Sequence, residues 1–245
     1  MIFSIPLTKL KMKINPFTMK KLCLLFFIAG LFFTQSCASL SGFEEGRTLK
    51  EEQSSLQVNF NTMQVNEFTS SDDGIFDFEY FPNLEVGYKY GFSEKFDLGF
   101  KANTFGNVGI NAKYQIVGDK RSPFAMSLGT EIYSFAFVGL FNAHIPLYMS
   151  YYPSEKLTFN IAPRYVIQFG SISDDVIRSI HYVGGNTGFM YGKKNKIGLD
   201  FGYHRLFNPD GDNIGMVNIG IGAKFVFGGE KVIQEVPTSS GRKRK

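Results

Sequence analysis

Residues 84–116 read LEVGYKYGFSEKFDLGFKANTFGNVGINAKYQI. Leu84, Val86, Tyr88 and Tyr90 alternate with Glu85, Gly87, Lys89 and Gly91, and the rhythm resumes after each break, through Leu98, Phe100 and Ala102 and then Val108, Ile110, Ala112, Tyr114 and Ile116. A period of two sends successive side chains to opposite faces of a strand, so this ribbon has an apolar side and a polar side. Which side faces inward decides the fold. A soluble barrel hides its apolar face; a membrane-spanning barrel turns that face to lipid and keeps its charges inside.

The same alternation recurs along the chain in segments of about ten residues or more, each bounded by Gly, Asp, Asn and Ser. It predicts about ten strands, within a range of about eight to twelve, over 55–67, 78–91, 96–105, 107–118, 123–137, 140–152, 157–169, 179–192, 197–207 and 214–227. Tight links at 91–95, 118–122, 153–156 and 192–196 follow the even strands. The stretches TSSDDGIFD, SISDDVIRS and NPDGDN follow odd ones. One end is therefore expected to carry short turns and the other longer loops. An even strand count brings both barrel ends to the short-turn side.

Composition agrees with one all-β domain. The 245 residues include 27 Phe, 12 Tyr and 26 Gly, mean hydropathy is -0.06, and a helical period is absent beyond the N-terminal region. The formal charge of +4 misleads: of 26 bases five precede residue 37, where there are no acids, leaving 21 bases against 22 acids. Four more bases close the chain as Arg242, Lys243, Arg244 and Lys245. This balance gives no nucleic-acid footprint.

Three features assign the apolar face to lipid. Aromatic residues gather at the turn-side strand ends (Tyr90, Phe92, Phe96, Tyr151, Tyr152, Tyr191, Phe225, Phe227) and again near the loop side (Phe78, Tyr80, Phe105, Phe169, Phe207), like two interfacial girdles. The polar face is rich in glycine, which suits a crowded lumen better than a solvated surface. Charges stay off the middle of the apolar rows, where a lysine or arginine facing lipid costs about 2–4 kcal/mol. Glu85, Lys89, Asp97, Lys101, Lys113, Glu131, Arg164, Asp200 and Lys224 are thereby expected to line the lumen. They either pair across a filled interior or border a narrow path for a small solute; mixed signs predict little ion selectivity.

Residues 19–37, MKKLCLLFFIAGLFFTQSC, have a basic start, an apolar run and a small residue ahead of a cysteine. That is the layout of a secretory signal over 1–36, with Met19 as an alternative start. Cys37 is the candidate for lipidation. Ser36-Cys37-Ala38 also satisfies the rule for ordinary cleavage before Ser39, and an uncleaved anchor is a third reading. Cys23 leaves with the signal, so no internal disulfide is expected. Residues 37–54 read as a polar periplasmic tether and 228–245 as a flexible basic tail.

Candidate chemistry is sparse. His181 and His204 fall near the loop side of neighbouring strands, with Asp174, Asp175, Asp210 and Asp212 in adjacent loops, which makes a weak candidate for general-base hydrolysis at the rim. The three histidines, His144, His181 and His204, have no metal-ligand spacing, NPDGDN lacks the bidentate Glu of a calcium loop, and no cofactor motif is present.

Taken together, the signal ending at Cys37, the alternating strands and the terminal stretch GIGAKFVF at 220–227 resemble lipidated outer-membrane β-barrel proteins of Gram-negative bacteria. The resemblance covers about 37–227. GRTL at 46–49 is similar to the segment that often separates the anchor from the first strand. The resemblance implies a closed antiparallel up-and-down transmembrane barrel, outer-membrane lipid as surroundings, periplasmic termini, and recognition by the barrel-assembly machinery through Gly222, Phe225 and Phe227. It implies envelope structure, passive transport or surface interaction without choosing among them; the leading expectation is a non-enzymatic structural or narrow-pore role, and the alternatives are the rim hydrolase and a soluble periplasmic lipocalin-like binding protein.

Overall fold

The computed structural model describes residues 40–67, 79–135, 139–172, 175–207 and 214–229. Ten strands follow one another: β1 (Gln53–Glu67), β2 (Glu79–Ser93), β3 (Phe96–Asn103), β4 (Asn107–Val117), β5 (Phe124–Phe135), β6 (Leu140–Tyr151), β7 (Leu157–Ile172), β8 (Asp175–Tyr191), β9 (Lys196–Phe207) and β10 (Ile214–Gly228). Each pairs antiparallel with its neighbour in sequence, and β10 returns to β1, so the sheet closes and no edge is left. The closing seam runs without a register shift from Gln53 opposite Gly228 to Glu67 opposite Ile214.

Alternation then sorts the side chains. Leu84, Val86, Tyr88, Leu98, Phe100, Val108, Ile110, Tyr114, Phe159, Ile161, Ile219 and Ile221 are exposed on the outside, Ile110 at 66 %. Asn59, Glu85, Lys89, Asp97, Lys101, Asn111, Lys113, Glu131, Arg164, Asp200 and Lys224 are buried within. Among the described side chains of the outward rows only Arg205, toward the loop end of β9, carries a charge. Apolar surface outside and ionised groups inside is the reverse of a soluble barrel and the arrangement that a hydrocarbon environment requires.

Several expectations are corrected in detail. SISDDVIRS is not a long loop, because β7 and β8 keep pairing past a bulge at Gln168/Gly170 to Ile172 opposite Asp175. The β-branched residues of that stretch suit a continuing ladder. Tyr152 and Phe105 do not belong to the outer girdles: both are buried, each just beyond a strand end where strict alternation stops. Phe92, Tyr151, Tyr191, Phe225 and Phe227 do stand on the outside.

The largest correction concerns the tether. Residues 40–46, 48 and 49 are buried and Arg47 is half-buried, all inside the ring. A ring of about eight strands can be filled by its own side chains; ten strands enclose a wider space, and the segment preceding β1 occupies it. The signal over 1–36, Cys37, Phe78, Asp174, Asp210, Asp212 and the tail from 230 to 245 lie outside the described residues.

Candidate functional site

The lumen is built in layers from the turn end inward. At the mouth, Thr48 N donates to Gln115 Oε1 at 3.0 Å, Thr48 Oγ1 to the Glu94 carbonyl at 2.8 Å, and Leu49 N to Asp97 Oδ1 at 3.0 Å. Lys120, in the β4–β5 turn, donates to the carbonyls of Thr48 and Leu49, each at 2.8 Å. The Arg47 guanidinium lies 3.5 Å from the centre of the Tyr152 ring, a cation–π contact that accounts for the inward turn of this tyrosine.

Deeper, Gly46 N donates to Ser150 Oγ at 2.7 Å and Ser127 Oγ donates to the Gly46 carbonyl. Then come two carboxylates. Glu45 pairs with Lys224 at 2.9 Å and with Lys196. Glu44 pairs with Lys89 at 2.8 Å and Lys113 at 3.0 Å, while Lys113 also meets Asp97 at 3.3 Å. Next, Gln57 Nε2 donates to the Phe43 carbonyl, Gly42 N to Asp200 Oδ2 at 2.9 Å, and Arg164 Nη2 to the Ser41 carbonyl at 3.0 Å. Leu40 ends the run in a small apolar cluster with Met63, Val166 and Met216, its carbonyl accepting from Asn186 Nδ2 at 2.9 Å. Burying so many backbone groups is tolerable only because they find partners.

Charge explains the sequence of this segment. Lys89, Lys101, Lys113, Arg164, Lys196 and Lys224 face the lumen from the wall, against Glu85, Asp97, Glu131 and Asp200. The wall bases exceed the wall acids by two, and the segment brings Glu44 and Glu45 among them, each between two lysines, with Arg47 held apart on the Tyr152 ring. Space explains the glycines. A methyl group on Gly42 would collide with Asn186 and one on Gly46 with the Ala125 carbonyl, while wall Gly222 leaves the room that Phe43 takes.

Above this filled region the wall pairs with itself. Lys101 bridges Glu131 at 3.2 Å and Glu85 at 3.8 Å, and Glu131 accepts from Tyr148 at 2.6 Å and Tyr133 at 2.7 Å. Both nitrogens of His144, both of His204, and Arg164 Nε and Nη1 are buried without a hydrogen-bond partner among the described residues. His144 Nδ1 stands 3.6 Å from Glu131, too far for a hydrogen bond.

All nine residues expected to line the lumen are buried there. Gly222 also faces inward, and Phe225 and Phe227 face outward on the closing strand. The expected pairing of His181 with His204 fails. His204 is opposite Gly184 and His181 opposite Phe207, so an odd offset puts them on opposite faces of the wall. Of the four candidate aspartates, Asp175 is the first residue of β8, and the other three lie outside the described residues. On the outer face His181 does contact Tyr165 Oη at 2.7 Å through Nδ1 and Ser179 Oγ at 3.1 Å through Nε2. This sets two hydroxyls against one imidazole beside the bulge at which the β7–β8 register shifts.

Sequence reading missed Glu44, Glu45, Arg47 and Lys196. The available signal was GFEEG at 42–46, two acids between glycines, set against an inward-facing excess of bases. An apolar recess of about 460 Å³ lies on the outer wall, where Gly185 leaves a dent between Pro163 and Tyr203.

No protein family matches the chain, and no curated protein does. Among solved structures it is similar to Neisserial surface protein A, at 10% identity over 72% of this chain and 100% of that one with a TM-score of 0.41. It is also similar to Ail, the attachment invasion locus protein of Yersinia pestis, at 12% identity over 71% and 99% with a TM-score of 0.35. The outer membrane protease OmpT from Escherichia coli matches at 8% identity over 76% and 100% with a TM-score of 0.40.

Proposed function

We propose that this protein is a non-enzymatic β-barrel of the Gram-negative outer membrane, anchored by lipid on Cys37, whose lumen is held shut by its own residues 40–49. The observation that carries the reading is the match between wall and segment: two buried carboxylates of the segment each sit between two lysines of the wall. The outward apolar rows support the membrane setting, and the smooth β1–β10 seam with outward Phe225 and Phe227 supports recognition by barrel-assembly machinery. The role is structural, or that of a pore closed at rest; a small solute passes only when the segment moves.

Single-channel recording in planar bilayers tests this. The refolded chain 37–245 carrying Cys37→Ser is expected to be silent, and the same chain lacking residues 40–50 to show discrete steps. Steps from the intact chain at rest would overturn the closed reading. Equal mobility of boiled and unboiled samples on a detergent gel would overturn the closed barrel itself.

A further inference from the structure

The recess on the outer wall has a polar end. Its middle is one line of outward residues in register across four strands: Pro163 of β7 faces Gly185 of β8, Gly185 faces Tyr203 of β9, and Tyr203 faces Val217 of β10. One step toward the turn side β8 presents Thr187, beside Phe201 of β9. A glycine and a threonine between larger neighbours hollow the wall to about 460 Å³, a volume that falls within the range of ligand pockets, about 300–1,000 Å³. One step toward the loop side the register line runs through Tyr165, Val183, Arg205 and Gly215. Two residues of strand rise about 7 Å, so Arg205 stands immediately above the recess.

Arg205 is exposed, and it is the only charge among the described side chains of the outward rows. The wall carboxylates Glu85, Asp97, Glu131 and Asp200 are all buried on the other face, and the guanidinium has the Phe207 ring for a neighbour, 6.0 Å away. Across Val183 from it the Tyr165 hydroxyl meets His181 Nδ1 at 2.7 Å, and Ser179 Oγ meets His181 Nε2 at 3.1 Å. An arginine on a wall that faces hydrocarbon extends toward the headgroup layer, and its planar fork matches a phosphate. An apolar hollow with a cation and hydroxyls at one end has the polarity of a single lipid molecule.

We propose that the outer wall of β7–β10 binds one anionic phospholipid, with an acyl chain in the recess and the phosphate on Arg205. The site rests on the membrane-barrel reading, under which this face meets the bilayer, and it goes beyond that reading by assigning one lipid to one place on the wall.

For the test, the full-length protein is extracted in detergent from the outer membrane of a Gram-negative host, its fold is checked by heat-modifiable migration, and lipid adducts are followed by native mass spectrometry. Dioleoyl phosphatidylglycerol is expected to give one adduct that survives activation at which dioleoyl phosphatidylcholine is lost. Arg205→Gln and Val217→Trp should each weaken that adduct about tenfold, the scale of one charge-assisted contact. Phe100→Leu, on β3 at the far side of the ring, should leave it unchanged, and glycerol phosphate, which has no acyl chain, should give no adduct. Equal retention of the two lipids, an adduct insensitive to Arg205→Gln and Val217→Trp, or equal binding of glycerol phosphate overturns the site and leaves the barrel standing. Mobility that heat does not change overturns the barrel itself, before any lipid is added. Should Val217→Trp fail to fold, Ile219→Trp fills the same recess and is read in the same way.

Discussion

The turn-side half of the lumen and the loop-side half are lined by the same kinds of residue and satisfied in different ways. In the turn-side half Lys89, Lys113, Lys196 and Lys224 of the wall each meet a carboxylate from residues 40–49, and that segment's amides and carbonyls are held by Gln115, Asp97, Ser150 and Ser127. In the loop-side half Lys101 and Glu131 pair within the wall, while His144, His204 and two Arg164 nitrogens have no partner among the described residues. Buried ion pairs are costly to break from one side, whereas unpartnered polar groups are cheap to replace. The first half is therefore a lock and the second a lining.

The largest expected effect comes from breaking the lock. Glu44→Ala with Glu45→Ala takes a carboxylate from four lysines, of which only Lys113 keeps another, Asp97 at 3.3 Å, and removing one partner of a buried pair costs about 3–5 kcal/mol. Folding yield should fall steeply, and the folded fraction should flicker open in bilayers; unchanged stability and silence would mean that the ion pairs are incidental. Gly46→Ala tests the same region through shape alone, and should give the same opening with all charges intact.

A second contrast sets the lumen against the outer wall. Ile110→Lys puts a charge at the most exposed large apolar residue among the described ones and should cost about 2–4 kcal/mol in urea unfolding from lipid vesicles. By comparison His204→Leu, in the loop-side lining, should cost less than about 1 kcal/mol or stabilise, since it removes two unpartnered nitrogens. A large loss at His204 would show that the lining is also a lock.

The smallest effect is one of pH. Burial pushes the Lys120 ammonium down to about 8, against the pull of Glu94 and Asp97. Its ordinary value of 10.5 lies above that, so between these values the unfolded chain holds more protons than the folded one and stability rises with pH. The melting temperature should rise slightly from pH 8 to 10.5, and Lys120→Met should abolish the rise.

How much of this was legible follows from where information lies along the chain. Strand alternation is local, so Leu84 to Ile116 already announce a two-faced wall, and ten such segments announce its closure. The inward position of Lys89 or Arg164 is legible for the same reason. The relation of His181 to His204 is not, because it depends on the register of β8 against β9, and a shift of one residue reverses the face. Residues 40–49 carry no period at all. Their conformation is set by a cavity that exists only once ten distant strands have closed, which is why a stretch that reads as a solvated tether becomes the most tightly held segment in the lumen.

The β1–β10 seam joins the first strand to the last over 15 residues without a bulge, whereas the β2–β3, β4–β5 and β7–β8 pairings each contain one. That regularity bears on the order of assembly. Residues 40–49 precede β1 in the chain, and the ring is complete only when β10 meets β1. The filling is therefore synthesised before the last wall of its container.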